Sequence, residues 1–158
     1  LLKSPTCTVE DEKAVKELSK IAELDYETYG MEMLKAGTDL SSFSIDEILS
    51  LDAKEIDIKG VKVLINQVNT ASIPDVMTMK ADLEAGINKV IAEKGLDLFV
   101  LLITDIVNSN SQTISIGTRT DLVEKSYGVK LEDNTALLKG VVSRKKQVIP
   151  TIMERLEK

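Results

Sequence analysis

Three consecutive cations, Arg144-Lys145-Lys146, stand between Ser143 and Gln147 in a chain whose net charge is −6. An Arg side chain offers a planar fork that takes two oxygens of a phosphate at once, and Lys offers a mobile point charge, so together they suit a polyanion. The run follows Leu137-Leu138-Lys139-Gly140-Val141-Val142, which reads as a buried strand, and precedes Val148-Ile149-Pro150-Thr151-Ile152-Met153, which reads as the start of a helix. A strand-to-helix junction would add free backbone N–H groups and the positive end of a helix dipole to the side-chain cations. The competing reading is a solvated basic patch on the last helix, which is what such runs more often are. Asp105, closing the apolar run Leu98-Phe99-Val100-Leu101-Leu102-Ile103-Thr104, has the type of a metal ligand. A single acid without a neighbouring partner favours a loop-capping role instead.

The elements that must position these residues alternate between helix and strand. Thr8 is placed to cap a first helix with Glu10, Asp11 and Glu12 in its opening turns and an apolar face of Ala14, Val15, Leu18, Ile21 and Ala22. Residues 1–7 before it read as extended, Pro5 keeping Ser4 out of helix. A second helix is expected from Tyr26 to Ala36, capped by Asp25 and stopped by Gly37. The small polar residues that follow mark a linker over 38–43. Beyond it, Ser44-Ile45-Asp46-Glu47 is a capping box for a short helix ending near Leu51. Ile56 to Lys59, Gly60 and Val61 to Ile65 read as a β-hairpin, with Lys54 just before it.

The longest helix is expected from Ile73-Pro74 to Gly95, with Met77 and Met79 in packing roles. Leu98–Ile103 reads as a central strand buried on both faces. A turn at Asn108–Ser111 leads to a strand over Thr113–Ile116 and a short helix from Asp121 to Tyr127. Val129–Leu131 reads as either an edge strand or an extended loop, before a polar bend at Glu132-Asp133-Asn134. This pattern predicts an α/β fold, a mixed β-sheet flanked by helices.

Composition narrows the partners. With 158 residues, 43% hydrophobic and 29% charged, the chain is long enough for one core of moderate size. Aromatic content of 3%, no Trp and the acidic balance argue against nucleic acid, which needs stacking surfaces and a basic face. No apolar run reaches the ~20 residues of a membrane span. The single Cys7 closes no internal disulfide, which fits a reduced, cytoplasmic setting.

The residues also carry a resemblance. Ser143-Arg144-Lys145-Lys146-Gln147-Val148-Ile149-Pro150 resembles the C-terminal signature of family II inorganic pyrophosphatases, the manganese-dependent members of the DHH phosphoesterase superfamily. Lys3 to Thr8, Tyr29 to Gly37, Leu51 to Glu55, Gln67 to Thr70, Leu96 to Phe99 with Ile103 to Asp105, and Asn134 to Gly140 are similar to that family in order and spacing. The likeness covers essentially the whole chain.

What the resemblance implies is hydrolysis of pyrophosphate to two phosphates by two domains that close on the substrate. A manganese cluster, held by histidines and aspartates of an N-terminal domain, would activate a water for in-line attack. This chain has no histidine. The expectation is therefore a C-terminal portion that binds no metal itself: 1–37 a helical remnant of the metal-binding domain, 38–43 a hinge, and 44–158 the substrate-binding domain. Lys54, Arg144 and Lys145 are implied as its substrate-binding and catalytic cations, gripping pyrophosphate or phosphate and stabilising charge on the leaving group. Lys146 ranks lower, because at helical or strand spacing it points elsewhere, and Lys59 and Lys62 gain no support. The implied partners are the substrate and the missing N-terminal domain; a homodimer remains one open arrangement, and the chain alone is expected to be inactive. Two rivals are another DHH phosphoesterase such as an exopolyphosphatase, and a stand-alone, non-catalytic anion-binding module.

Overall fold

A computed structural model describes residues 7–157. The expected extended stretch around Ser4 and Pro5 lies outside the described residues. The chain forms two compact units, which divide between Asp39 and Leu40.

In the first unit, the Thr8 hydroxyl accepts from the Asp11 N–H at 3.2 Å while the Asp11 carboxylate accepts from the Thr8 N–H at 2.8 Å, and this reciprocal cap opens α1, Val9–Ile21. The Asp25 carboxylate accepts from the Thr28 N–H at 2.8 Å to open α2, Tyr26–Gly37. Gly37 is the last helical residue rather than a stop beyond it, because Thr38 takes the cap and returns its hydroxyl to the Leu34 carbonyl at 2.7 Å. No residue of α1 is buried, and Ile21 on its apolar face is 80% exposed.

The second unit is a five-stranded mixed sheet in sequential order β1-β2-β3-β4-β5, formed by β1 (Ala53–Ile58), β2 (Val61–Thr70), β3 (Leu98–Asp105), β4 (Asn110–Gly117) and β5 (Thr135–Lys139). Only β2 and β3 run parallel. The β1–β2 turn has positive φ at both Lys59 (53°) and Gly60 (80°), the conformation that matches a two-residue hairpin loop to strand twist. Every residue of β3 is buried, as expected for a central strand. Phe99, Leu101 and Ile103 join Leu64 and Val68 in one core with helices α3 (Ile45–Ser50), α4 (Ile73–Met77) and α5 (Lys80–Lys94). Leu98, Val100 and Leu102 join Val63 and Ile65 on the opposite face, under α6 (Asp121–Tyr127) and α7 (Ile149–Glu157). The period-two alternation thus feeds two helical layers from one strand.

Three expectations are corrected and one open alternative, at Val129–Leu131, is decided. The long helix is broken at Thr78-Met79, where tightened N–H bonds to Asp75 and Val76 carbonyls and the Thr78 hydroxyl on Asp75 O at 2.6 Å end α4 before α5 begins. Val129–Leu131 forms no strand and packs as a loop, the Leu131 N–H held by the Glu124 carboxylate at 2.9 Å. The last strand is not a buried run over Leu137–Val142 but the edge strand Thr135–Lys139, with Ala136 and Leu138 inward and Leu137 exposed. Gly140, at φ 71°, turns the chain out of it. The helix after it starts earlier than Val148: Arg144–Val148 is a π-helical turn that runs directly into α7.

Candidate anion-binding site

The cations therefore sit inside the first turn of the terminal helix rather than in a loop before it. Ser143 caps this turn, its hydroxyl accepting from the Lys146 N–H at 3.1 Å. Its carbonyl accepts from both Gln147 N–H (3.0 Å) and Val148 N–H (3.3 Å), the second bond being the i→i+5 pattern of a π-turn. Such turns are rare and recur at functional sites.

Two glutamines fix the turn to the sheet. Gln147 folds back, its Oε1 accepting from the Val142 and Ser143 N–H groups at 2.8 and 3.0 Å and its Nε2 donating to the Gly140 carbonyl at 2.9 Å. Gln67 reaches up from β2. Its Oε1 accepts the Arg144 N–H at 2.9 Å, and its Nε2 donates to Thr104 Oγ1 at 2.8 Å and to the Val142 carbonyl at 3.0 Å. Ser111 Oγ lies 2.8 Å from Thr104 Oγ1 and donates to the Val141 carbonyl at 2.7 Å, extending the same scaffold. The Gly140 N–H is held by Asn110 Oδ1 at 3.0 Å. Each of these polar groups completes a partner's hydrogen bonding, so the backbone carrying the cations is rigidly specified.

Arg144 is mostly covered, its side chain 14% exposed, whereas Lys145 and Lys146 are exposed. The Arg144 guanidinium turns toward Asp52, Nη2 donating to Oδ1 at 2.7 Å and Nη1 donating to the Asp52 carbonyl. Its Nε is buried and meets no acceptor. Asp52 immediately precedes β1 and has φ 39°, a left-handed conformation that Asp tolerates better than most residues.

Lys54 is exposed on β1. Its cross-strand partner is Ile65, which belongs to the core under the π-turn and α7, so Lys54 shares the sheet face that carries Arg144 and Lys145. Glu55, one residue on, pairs with Leu64 and faces the opposite layer, where it meets Lys94. Lys54 thus lies on the sheet face against which the turn carrying Arg144 and Lys145 packs.

Lys59 is occupied elsewhere, donating to the Glu157 carbonyl at 2.8 Å. Asp105 caps its own loop, accepting from the Val107 N–H (2.8 Å), the Asn108 N–H (2.9 Å) and Asn108 Nδ2 (2.8 Å). Burial raises the pKa of this carboxyl, but the hydrogen bonds outweigh it and hold it below the ordinary aspartate value. Asp52 and Gln67 are the contributors that reading by residue type missed. Both lie in stretches singled out by resemblance, Leu51 to Glu55 and Gln67 to Thr70, but their contacts with Arg144 show only once β1, β2 and the terminal helix are seen together.

The DHHA2 domain profile matches residues 31–155. The chain belongs to the DHHA2 domain family. This DHHA2 chain is 56% identical over 156 residues to the manganese-dependent inorganic pyrophosphatase of Bacillus subtilis (strain 168), a match covering 99% of the chain and 50% of the relative. It superposes with a TM-score of 0.75 on a crystal structure from Methanococcus jannaschii assigned to the family II inorganic pyrophosphatases, at 37% identity over 100% of this chain and 52% of that one. The chain therefore spans about half the length of the relatives it matches. Among the described residues no group of three or more His, Cys, Asp or Glu side chains is placed to hold a metal ion, and no helix is long and apolar enough to cross a membrane.

Proposed function

We propose that this chain is the C-terminal, substrate-gripping part of a manganese-dependent inorganic pyrophosphatase, with Arg144, Lys145 and Lys54 as its phosphoryl ligands. The observation that supports this most is the pinning of Arg144 by Gln67 at the head of a π-turn, on the sheet face shared with Lys54. Cations on a fixed backbone can meet developing negative charge without reorganising, which is where electrostatic catalysis gains most. Arg144 holds phosphoryl oxygens in a defined orientation, while Lys145 and Lys54, exposed and mobile, neutralise charge on the leaving phosphate.

The described residues do not fit a manganese ion, since the chain has no histidine and its acids form no cluster. In this reading the metal chemistry belongs to the half of the relatives that this chain does not match. The unit formed by α1 and α2 is the helical end of that metal-binding domain, and 38–43 is the hinge. Its exposed Val9, Leu18, Ile21, Leu24, Tyr29 and Met33 support this, because a self-sufficient unit would bury such side chains.

The test has two parts. The chain alone, supplied with manganese and pyrophosphate, releases no phosphate but binds pyrophosphate by titration calorimetry, and Arg144→Ala weakens that binding at least ~10-fold. In a protein spanning the full length of the relatives, the same substitution costs about 2 kcal/mol of transition-state stabilisation, roughly 30-fold in kcat/KM. Turnover by the chain alone, or unchanged affinity in Arg144→Ala, would overturn the reading.

A further inference from the structure

We infer that Asp52 is a resident competitor for Arg144, a carboxylate that occupies the phosphate fork and is exchanged for the phosphoryl group on binding and back again on release. The inference rests on the reading of Arg144 as a phosphoryl ligand.

The argument is one of counting donors. A guanidinium carries five N–H groups, and a bidentate grip on an oxyanion uses two adjacent ones, either the Nη1/Nη2 pair or the Nε/Nη2 pair. In Arg144 the first pair is spent on one residue, Nη1 on the Asp52 carbonyl and Nη2 on Asp52 Oδ1 at 2.7 Å. The second pair includes Nε, which is buried without an acceptor and beyond reach of a ligand arriving from solvent. Departure of the Asp52 carboxylate therefore frees Nη2 while Nη1 stays on the Asp52 carbonyl, and a phosphoryl oxygen takes the place that Oδ1 leaves.

Exposure says which partner moves. The Arg144 side chain is 14% exposed and its backbone is tied to Gln67, whereas the Asp52 side chain is 61% exposed. The carboxylate can swing into water at little cost, and the guanidinium stays. With its carboxylate side open to water, the pair gives way to a multiply charged anion that keeps the covered guanidinium compensated. Because the competitor is tethered beside the site, its effective concentration is high, and it recaptures the fork whenever a bound phosphate loosens. Asp52 thereby lowers the affinity for substrate and product alike and shortens the residence of product phosphate, a step that limits many enzymes.

Asn is the informative replacement, because it keeps the size of the side chain and tolerates the left-handed backbone at φ 39° while removing the charge. Titration calorimetry and stopped-flow dissociation on the full chain use inorganic phosphate and pyrophosphate as probes, at fixed ionic strength. Asp52→Asn is expected to bind both anions about two- to five-fold more tightly, with the gain in the dissociation rate constant. Asp52→Gly, which also accepts the backbone and removes the side chain altogether, gives an equal or larger gain. A merely orienting Asp52 predicts the opposite sign, since loss of the contact would then weaken binding. Unchanged or weaker binding in both variants, with Arg144→Ala still abolishing it, overturns the competitor role and leaves the Arg144 reading intact. Wild-type affinity in Arg144→Ala sinks both.

Discussion

Replacing Gln67 by Met tests whether the cation-bearing turn is held by the sheet or merely rests on it. Met preserves the length of the side chain but deletes an acceptor and two donations: from Arg144 N–H at 2.9 Å, to Thr104 Oγ1 at 2.8 Å and to the Val142 carbonyl at 3.0 Å. Thr104 keeps a partner in Ser111, so the cost falls mainly on the Arg144 N–H and the Val142 carbonyl. At ~1 kcal/mol for each bond lost, the substitution removes about 2–3 kcal/mol of stability, or roughly 10 °C of Tm for a unit of this size. Urea denaturation followed by circular dichroism gives the first figure, and pyrophosphate titration under native conditions gives a companion loss of affinity. Gln67→Glu, which keeps an acceptor for the Arg144 N–H but cannot donate, should fall between Met and wild type. A Gln67→Met chain that melts within ~2 °C of wild type and binds pyrophosphate equally well would show that the hydrogen bonds do not position Arg144.

Three further outcomes follow from the geometry. Asp105 has its pKa lowered in the fold, so its contribution is present above the ordinary aspartate value and is lost as pH falls through the folded one. Asp105→Asn should therefore cost about 1–2 kcal/mol near neutral pH, with the gap in urea midpoint closing as the pH falls below the ordinary aspartate value. Gly117→Ala should destabilise by about 3 kcal/mol or more in the same assay. The backbone there has φ 137°, and an added Cβ would lie 2.2 Å from the Asp97 carbonyl oxygen. Lys145→Ala should weaken pyrophosphate binding less than Arg144→Ala and should also flatten its dependence on salt, because an exposed ammonium acts as a screened point charge.

How much of this was legible beforehand varied with the physics of each element. Helix starts read well because their signal is local: Thr8, Asp25 and Ser44 all cap where expected. The buried strand β3 and the hairpin around Gly60 read well too, since an unbroken apolar run and a turn at positive φ have few alternatives. The break at Thr78 was hidden because residues on both sides keep helical periodicity, and only hydrogen bonds of the turn itself stop the helix. The last strand was misread because the apolar Val141 and Val142 continue its composition after Gly140 has already turned the backbone. Of the site, Arg144, Lys145 and Lys54 were named from type and resemblance. Gln67 and Asp52 act through contacts with a residue far along the chain, which no local pattern encodes.

That distance has a consequence for the order in which the molecule can be assembled. The sheet's strands follow one another in space as they do in sequence, so each can dock on the last as it is synthesised, with modest loop-closure costs. The Arg144–Asp52 contact spans 92 positions, joining the threshold of the first strand to the turn after the fifth. A nascent chain can therefore complete most of its sheet while its anion grip does not yet exist. Arg144 arrives only with the last fifteen residues, 144–158, so their loss would leave the strands in place but remove the Arg144–Asp52 contact and uncover the core face that Val148 and Ile152 close.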